Sequence, residues 1–260
     1  MAKRRQKAST NSEMIPKILH YVWLGRGEKS DTIKRCLESW RKHLPDYRVM
    51  LWDEDTYNIN EAPVFVQTAY TAKKWAFASD YIRLWALYKY GGIYLDTDTE
   101  VLKPLDSFLN HKLFIGTQVF SVDINKTEKR NVTNLSMGII GSEPGHPYLQ
   151  DCMDKIADST LIKADGSIDT KVTNYTMADV LQKKYGFEIS DIFQELSEGI
   201  VVYPSSVFSD RLAPDSSTDA YTFHWGEMSW FQPKPRGLFY KLCWNLNLMK
   251  FYHWIETIRK

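Results

Sequence analysis

The chain has 260 residues, 43% apolar and 25% charged, with a net charge of +1. That length fits one large domain, or a domain with an appendage, and a core of this size needs no disulfide or metal staple. The near-neutral balance excludes a global electrostatic pull towards nucleic acid, and no apolar run reaches the length of a membrane span.

Residues 1–13 read as a disordered basic N-terminus, carrying Lys3, Arg4, Arg5 and Lys7 with no apolar signal region after them. Residues 14–236 are expected to form the main domain. Ile15 to Gly25 reads as a first buried strand ending in a glycine turn. Thr32 to His43 is a helix with Ile33, Leu37 and Trp40 on one face. Tyr47 to Trp52 is a second strand. Trp75 to Tyr90 is the clearest helix, closed by Gly91-Gly92, and Ile93 to Leu95 is a third strand. Later come short strands at Leu113–Gln118, Met137–Gly141 and Ile200–Tyr203, and helices around 147–158 and 175–185. Alternating strands and helices predict an α/β fold with a mainly parallel sheet flanked by helices. Ligands then sit beyond the C-terminal strand ends.

Asp96-Thr97-Asp98 stands at such an end. Two carboxylates at i and i+2 can converge on one hard divalent cation, Mn²⁺ or Mg²⁺, which is commonly shared with substrate phosphates. Asp80 and Arg83, at i and i+3 on the long helix, project to one side. Spacing alone leaves open whether they are a surface ion pair or a sugar-binding pair. Cys36, Cys152 and Cys243 are odd in number and widely spaced, without zinc spacing, which favours a reducing compartment. A cytoplasmic location is expected, with the inner face of the cell membrane as its setting if the chain end contacts lipid.

Three segments taken together are more specific than any of them alone. Ile15-Pro-Lys-Ile-Leu-His-Tyr-Val-Trp-Leu-Gly, Ala76-Phe-Ala-Ser-Asp80-Tyr-Ile-Arg83 and Tyr88-Lys-Tyr-Gly-Gly-Ile-Tyr-Leu-Asp96-Thr-Asp98 resemble glycosyltransferase family 32. The resemblance covers residues 14–106 well and the rest thinly. It implies a GT-A type, Rossmann-like fold, a nucleotide-sugar donor, Mn²⁺ or Mg²⁺, and retention of the anomeric configuration. By position, Trp23 would stack on the donor base, and Asp80 and Arg83 would hold sugar and diphosphate. Tyr94 would join the donor-binding set. Asp96 would touch ribose, sugar or metal-bound water, and Asp98 would ligate the metal. Asn134-Leu-Ser-Met-Gly138 would lie beneath the donor sugar as a loop or turn before a strand. His146 is expected to be structural. At the later helix start this chain has Asn174-Tyr175 where relatives often carry Gly-Pro, so no acceptor-side role is carried over there.

His224-Trp-Gly-Glu-Met-Ser229-Trp230 supplies the remaining candidates. Neutral imidazole ligates Mn²⁺ beside carboxylates, which makes His224 a third metal ligand. Ser229 and Trp230 are candidates for the leaving phosphate and loop closure. Residues 237–260 form an aromatic, amphipathic helix candidate, with Lys241, Lys250, Arg259 and Lys260 suited to an anionic lipid surface. The function expected is transfer of a hexose, from a donor read as UDP-linked ahead of GDP-mannose, to a glycan hydroxyl. A lipid-linked acceptor in capsule or surface polysaccharide synthesis fits best. The alternatives are a haloacid-dehalogenase-like phosphatase with Asp96 as nucleophile and Asp98 as acid, or a non-catalytic glycan-binding protein.

Overall fold

The computed structural model describes residues 15–123, 129–163, 166–169, 173–210 and 219–227. The expectations for residues 1–13, Ser229, Trp230 and the helix at 237–260 lie outside the described residues. In chain order the elements are strand β1 (Ile18–Val22), helix α1 (Asp31–His43), β2 (Arg48–Trp52), α2 (Val64–Thr71), α3 (Trp75–Tyr90) and β3 (Gly92–Leu95). Then follow β4 (Thr99–Val101), β5 (Leu113–Asp123), β6 (Lys129–Ser142), α4 (Pro147–Ala157) and α5 (Asn174–Tyr185). The last are β7 (Gln194–Glu195), β8 (Ile200–Tyr203), β9 (Phe208–Asp210) and β10 (Thr222–His224).

Seven strands form one sheet in the order β2-β1-β3-β6-β5-β8-β7, and three form a second in the order β4-β10-β9. β1 runs parallel to β2 and β3, and β5 to β8. β6 is antiparallel to both its neighbours, and β7 to β8. The α/β class expected of a GT-A type fold is found, with the sheet mixed on its β6 side. β5 and β6 are joined as a long hairpin, too direct a connection for the crossover that a parallel pair requires. The segment around Asn134, expected as a loop or turn, is therefore strand.

Side chains alternate between two buried layers, as the strand period of two requires. Ile93, Leu95 and Phe114 enter a cluster with Trp40, Phe108 and Phe208. Tyr94, Leu113 and Ile115 enter the opposite cluster, with Leu84 and Leu87 of α3 and Tyr148 and Leu149 of α4. Helices thus cover the sheet on the α3–α4 side, and α1 with the small sheet covers the other. Ser30 caps α1 by accepting from the Ile33 amide at 3.2 Å. α1 is then tied to β4, through Trp40 Nε1 donating to the Thr99 carbonyl and Ser39 Oγ accepting from the Val101 amide. α3 ends where the Gly91 amide donates to Leu87 O at 2.8 Å, with Gly91 at φ 62°. A Cβ on Gly92 (φ +111°) would lie 2.5 Å from the Ile18 carbonyl oxygen, so only glycine lets β3 come this close to β1.

His20 sits wholly buried between these elements. Its Nδ1 accepts from Trp52 Nε1 at 3.1 Å, which leaves Nε2 to donate to the Gly91 carbonyl at 2.8 Å. Burial lowers its pKa to about 4, opposed by the Gly91 bond. A base held neutral in the fold but protonated when unfolded destabilises the protein as pH falls. Stability is therefore expected to drop by about 3 kcal/mol between pH 6.5 and 4 and then to level off for this group. Urea titrations of wild type and His20→Gln across that window test this, and parallel curves for the two would refute it.

Candidate active site

Asp96 leaves β3 at the edge where the parallel strands end. Its amide donates to the Gly138 carbonyl at 3.0 Å, and its own carbonyl accepts from the Thr99 amide at 2.9 Å, closing a tight turn into β4. Gly138 receives that bond as the next step of the antiparallel β3–β6 register, in which Leu95 pairs with Ile139, and on its other side β6 bulges. Against β5, Ile115 pairs with Ile140 but the next residue, Gly116, pairs with Ser136. Of the three residues skipped, Met137, Gly138 and Ile139, the first two use their carbonyls in the site. Gly138 O takes Asp96 N and Thr99 Oγ1, and Met137 O takes Arg83 Nη1 at 2.6 Å.

β10 brings the third partner. It pairs antiparallel with β4, setting His224 opposite Thr99. His224 Nε2 lies 3.1 Å from Asp98 Oδ1 and 3.8 Å from Asp96 Oδ2. A Cβ on Gly138 would lie 3.3 Å from the imidazole, so the glycine keeps room for that ring. The residues after His224 strap the turn. The Trp225 amide donates to Asp98 O at 2.9 Å, and the Glu227 amide to Asp98 Oδ2 at 2.7 Å. Ser30 Oγ in turn donates to Glu227 Oε2 at 2.7 Å. Burial opposes ionisation of Asp98, but the His224 charge, its hydrogen bond and the Glu227 amide outweigh it and hold the carboxyl below its usual range.

Behind the turn lies a buried charged layer. The Arg83 side chain is 5% exposed, with Nη2 2.7 Å from Asp80 Oδ1 and 3.3 Å from Asp96 Oδ1. The guanidinium also sits 4.5 Å from the Tyr94 ring centre, and the Tyr94 hydroxyl donates to Asp96 Oδ1 at 2.7 Å. Asp80 accepts a further bond from Thr173 Oγ1 at 2.5 Å. The Asp80–Arg83 pair is thus no surface ion pair. Burial pushes the Asp80 carboxyl upward against Arg83 and Thr173. It also disfavours the Arg83 cation, yet Asp96, Tyr94, Asp80 and Asp98 together raise its pKa.

Asp96, Asp98 and His224 each offer a ligand atom, all within 4.8 Å of one another. Two carboxylate oxygens and an imidazole nitrogen suit Mn²⁺ or Mg²⁺, and the cluster opens at the strand edge rather than into the core. The donor set fits the expected cation.

Trp23 follows β1, which pairs with β3 at His20–Tyr94, so Trp23 and Asp96 leave adjacent parallel strands at one edge. Its Nε1 donates to Gly27 O at 2.9 Å, and Lys29 Nζ lies 4.9 Å from its ring centre. Asn134 is half-buried on β6, its Oδ1 accepting from the Leu135 amide. His146 caps α4 through a bond from the Tyr148 amide and meets the Glu198 carbonyl, a structural role as expected. Sequence reasoning did not single out Thr173, Glu227 or Ser30. Nothing in their spacing relates them to Asp80 or Asp98.

The family described as "Glycosyltransferase sugar-binding region containing DXD motif" matches residues 30–115. An uncharacterized glycosyltransferase of Acanthamoeba polyphaga mimivirus is 25% identical over 84% of this chain and 84% of its own length. A mannosyl phosphorylinositol ceramide synthase of Saccharomyces cerevisiae is 31% identical over 54% of this chain and 34% of its own. An inositol phosphoceramide mannosyltransferase of Schizosaccharomyces pombe is 28% identical over 54% and 37%. The chain thus spans about a third of these fungal relatives. The solved glycosyltransferase PaToxG is similar over 66% of this chain and 70% of its own, with 18% identity and a TM-score of 0.49. Residues 30–115, a stretch that contains Asp80, Arg83, Asp96 and Asp98, are thus similar to the DXD-containing sugar-binding region of glycosyltransferases.

Proposed function

We propose that the protein is a metal-dependent, retaining hexosyltransferase acting on a nucleotide diphosphate sugar. The observation that carries this is the convergence of Asp96, Asp98 and His224 in front of the buried Asp80–Arg83 pair. A bound Mn²⁺ or Mg²⁺ would supply charge for the departing diphosphate. Asp98 and His224 hold the cation in this reading, and Asp96 serves it from the side nearer the ribose and sugar. Arg83 acts through the carboxylates, pairing with Asp80 and Asp96 and fixing their positions, while Asp80 accepts from the donor's hydroxyls. Trp23 stacks on the base, Tyr94 orients Asp96, and Asn134, Ser229 and Trp230 complete the donor set.

In the reaction the acceptor hydroxyl oxygen bonds to the anomeric carbon as the bond from that carbon to the diphosphate oxygen breaks. The electron pair leaves with the diphosphate, and the hydroxyl proton passes to it. Attack comes from the face the diphosphate leaves, which retains the configuration. The acceptor is a glycan hydroxyl, lipid-linked in surface polysaccharide synthesis, with residues 237–260 resting on the inner face of the membrane. No helix among the described residues is long and apolar enough to cross a membrane. Flotation with anionic liposomes is expected for the full chain and lost on removing residues 237–260. Flotation of both forms alike would refute the contact.

Release of nucleoside diphosphate from UDP-glucose, UDP-galactose, UDP-N-acetylhexosamines and GDP-mannose, with Mn²⁺ and with EDTA, tests the main reading. GDP-mannose belongs in the panel because several relatives are named mannosyltransferases. One donor is expected to be cleaved, only with metal, and to stabilise the fold. Cleavage of none, or phosphate release from simple esters instead, would overturn it. Gly138→Ala is expected to crowd His224 and lower metal-dependent turnover about ten-fold, at a stability cost of about 1–3 kcal/mol. Unchanged turnover would show that His224 needs no such room.

A further inference from the structure

A cleft of ≈ 840 Å³ opens between β6 and α5, apart from the Asp-Asp-His cluster. Asn131 and Thr133 line it from β6, Tyr175 and Gln182 from α5, Phe120 from β5, and Arg130 from the hairpin. Tyr175 is 54% exposed, so an aromatic surface meets solvent there. Of the other charges here, Lys155 pairs with Asp179, which also holds Lys183 at 2.7 Å, and Arg130 adds a cation at the hairpin. Amides, hydroxyls and rings make up much of the rest of the lining. Amides and hydroxyls both donate and accept, which matches the paired character of sugar hydroxyls. Aromatic surfaces bury the apolar C–H faces of a pyranose.

The cleft also connects to the charged layer. Thr173, whose hydroxyl holds Asp80, immediately precedes α5, and Tyr175 follows two residues later. On the other wall, Asn134 lines the cleft four residues before Gly138, whose carbonyl holds Asp96. A chain of sugar units lying in the cleft could thus present a terminal hydroxyl to the donor.

We propose that this cleft is the acceptor site and binds a glycan chain. The proposal rests on the transferase reading above and adds to it where the acceptor lies and which chemistry recognises it. Tyr175→Ala and Gln182→Ala alter the cleft at positions outside the core and leave the donor site intact. The probes are p-nitrophenyl α-mannoside and p-nitrophenyl β-galactoside. Saturation-transfer NMR reads their binding without donor, and hydrolysis of the donor by water is followed without acceptor. At least one probe is expected to bind the wild type and to bind both variants at least ten-fold more weakly, with donor hydrolysis and Tm unchanged. Binding of a probe equally by wild type and variants, or of neither probe by the wild type, would overturn the proposal. Failure of the transferase reading is distinct, appearing as no donor cleavage by the wild type whatever the probes do.

Discussion

Asp98→Asn is expected to reduce metal-dependent donor cleavage by on the order of 10²–10³-fold or more while the protein stays folded. The substitution removes the charge held below its usual pKa beside His224 and keeps the shape of the side chain. Its oxygen can still accept from the Glu227 amide, as Asp98 Oδ2 does at 2.7 Å. Its NH₂ would then face His224 Nε2, which can accept in its other tautomer. A modest stability change, roughly 1–2 kcal/mol, follows from exchanging charged for neutral hydrogen bonds. Donor cleavage, Mn²⁺ binding and a urea midpoint on one preparation decide the matter. Wild-type turnover in Asp98→Asn would sink the metal assignment, whereas loss of folding would mean that the turn, not the cation, needs the carboxylate.

Arg83→Met should produce the largest stability loss, about 3–5 kcal/mol. Arg83 is a buried cation between Asp80 and the partly exposed Asp96, and it also satisfies the Met137 carbonyl. Methionine matches much of its volume but leaves Asp80 and Asp96 facing each other without a counter-charge. Most of the loss is the cost of that uncompensated charge rather than of missing packing. Asp80→Asn in the Arg83→Met background should therefore recover part of the stability, since it removes one buried negative charge. Urea unfolding of the two single variants and the double variant measures this, and strictly additive losses would refute the coupling.

Much of the fold was legible because local periodicity encodes it. α3 was read at its observed bounds, since a long helical pattern is closed by two glycines that the backbone requires. α1, α4 and α5 were placed to within a residue or two for the same reason. α2 was missed, being only eight residues long, with no side-chain cap at its start and no glycine at its end. β6 was read too short, as only its Met137–Gly141 part looks apolar, while the outer hairpin draws its order from pairing with β5. The direction of β6 was equally hidden, because hydrogen-bond partners across a sheet leave no periodic mark.

By itself the sequence determined the chemistry on offer: two carboxylates past a buried strand, an Asp–Arg pair on the preceding helix, and a resemblance that joined them. Those residues lie within twenty positions of one another, so helix and strand geometry alone brings them to one edge. The sequence offered His224 as a third ligand, and the tertiary structure brings it, 126 residues from Asp98, to the two carboxylates. Only the tertiary structure decided that Arg83 is buried between its two carboxylates, and that Thr173 and Glu227 hold Asp80 and Asp98 from remote parts of the chain. The reason is physical. Local backbone preference acts over a few residues, whereas these contacts follow from β4–β10 pairing, the bulge in β6 and the packing of α5 against the sheet, which depend on the whole chain closing.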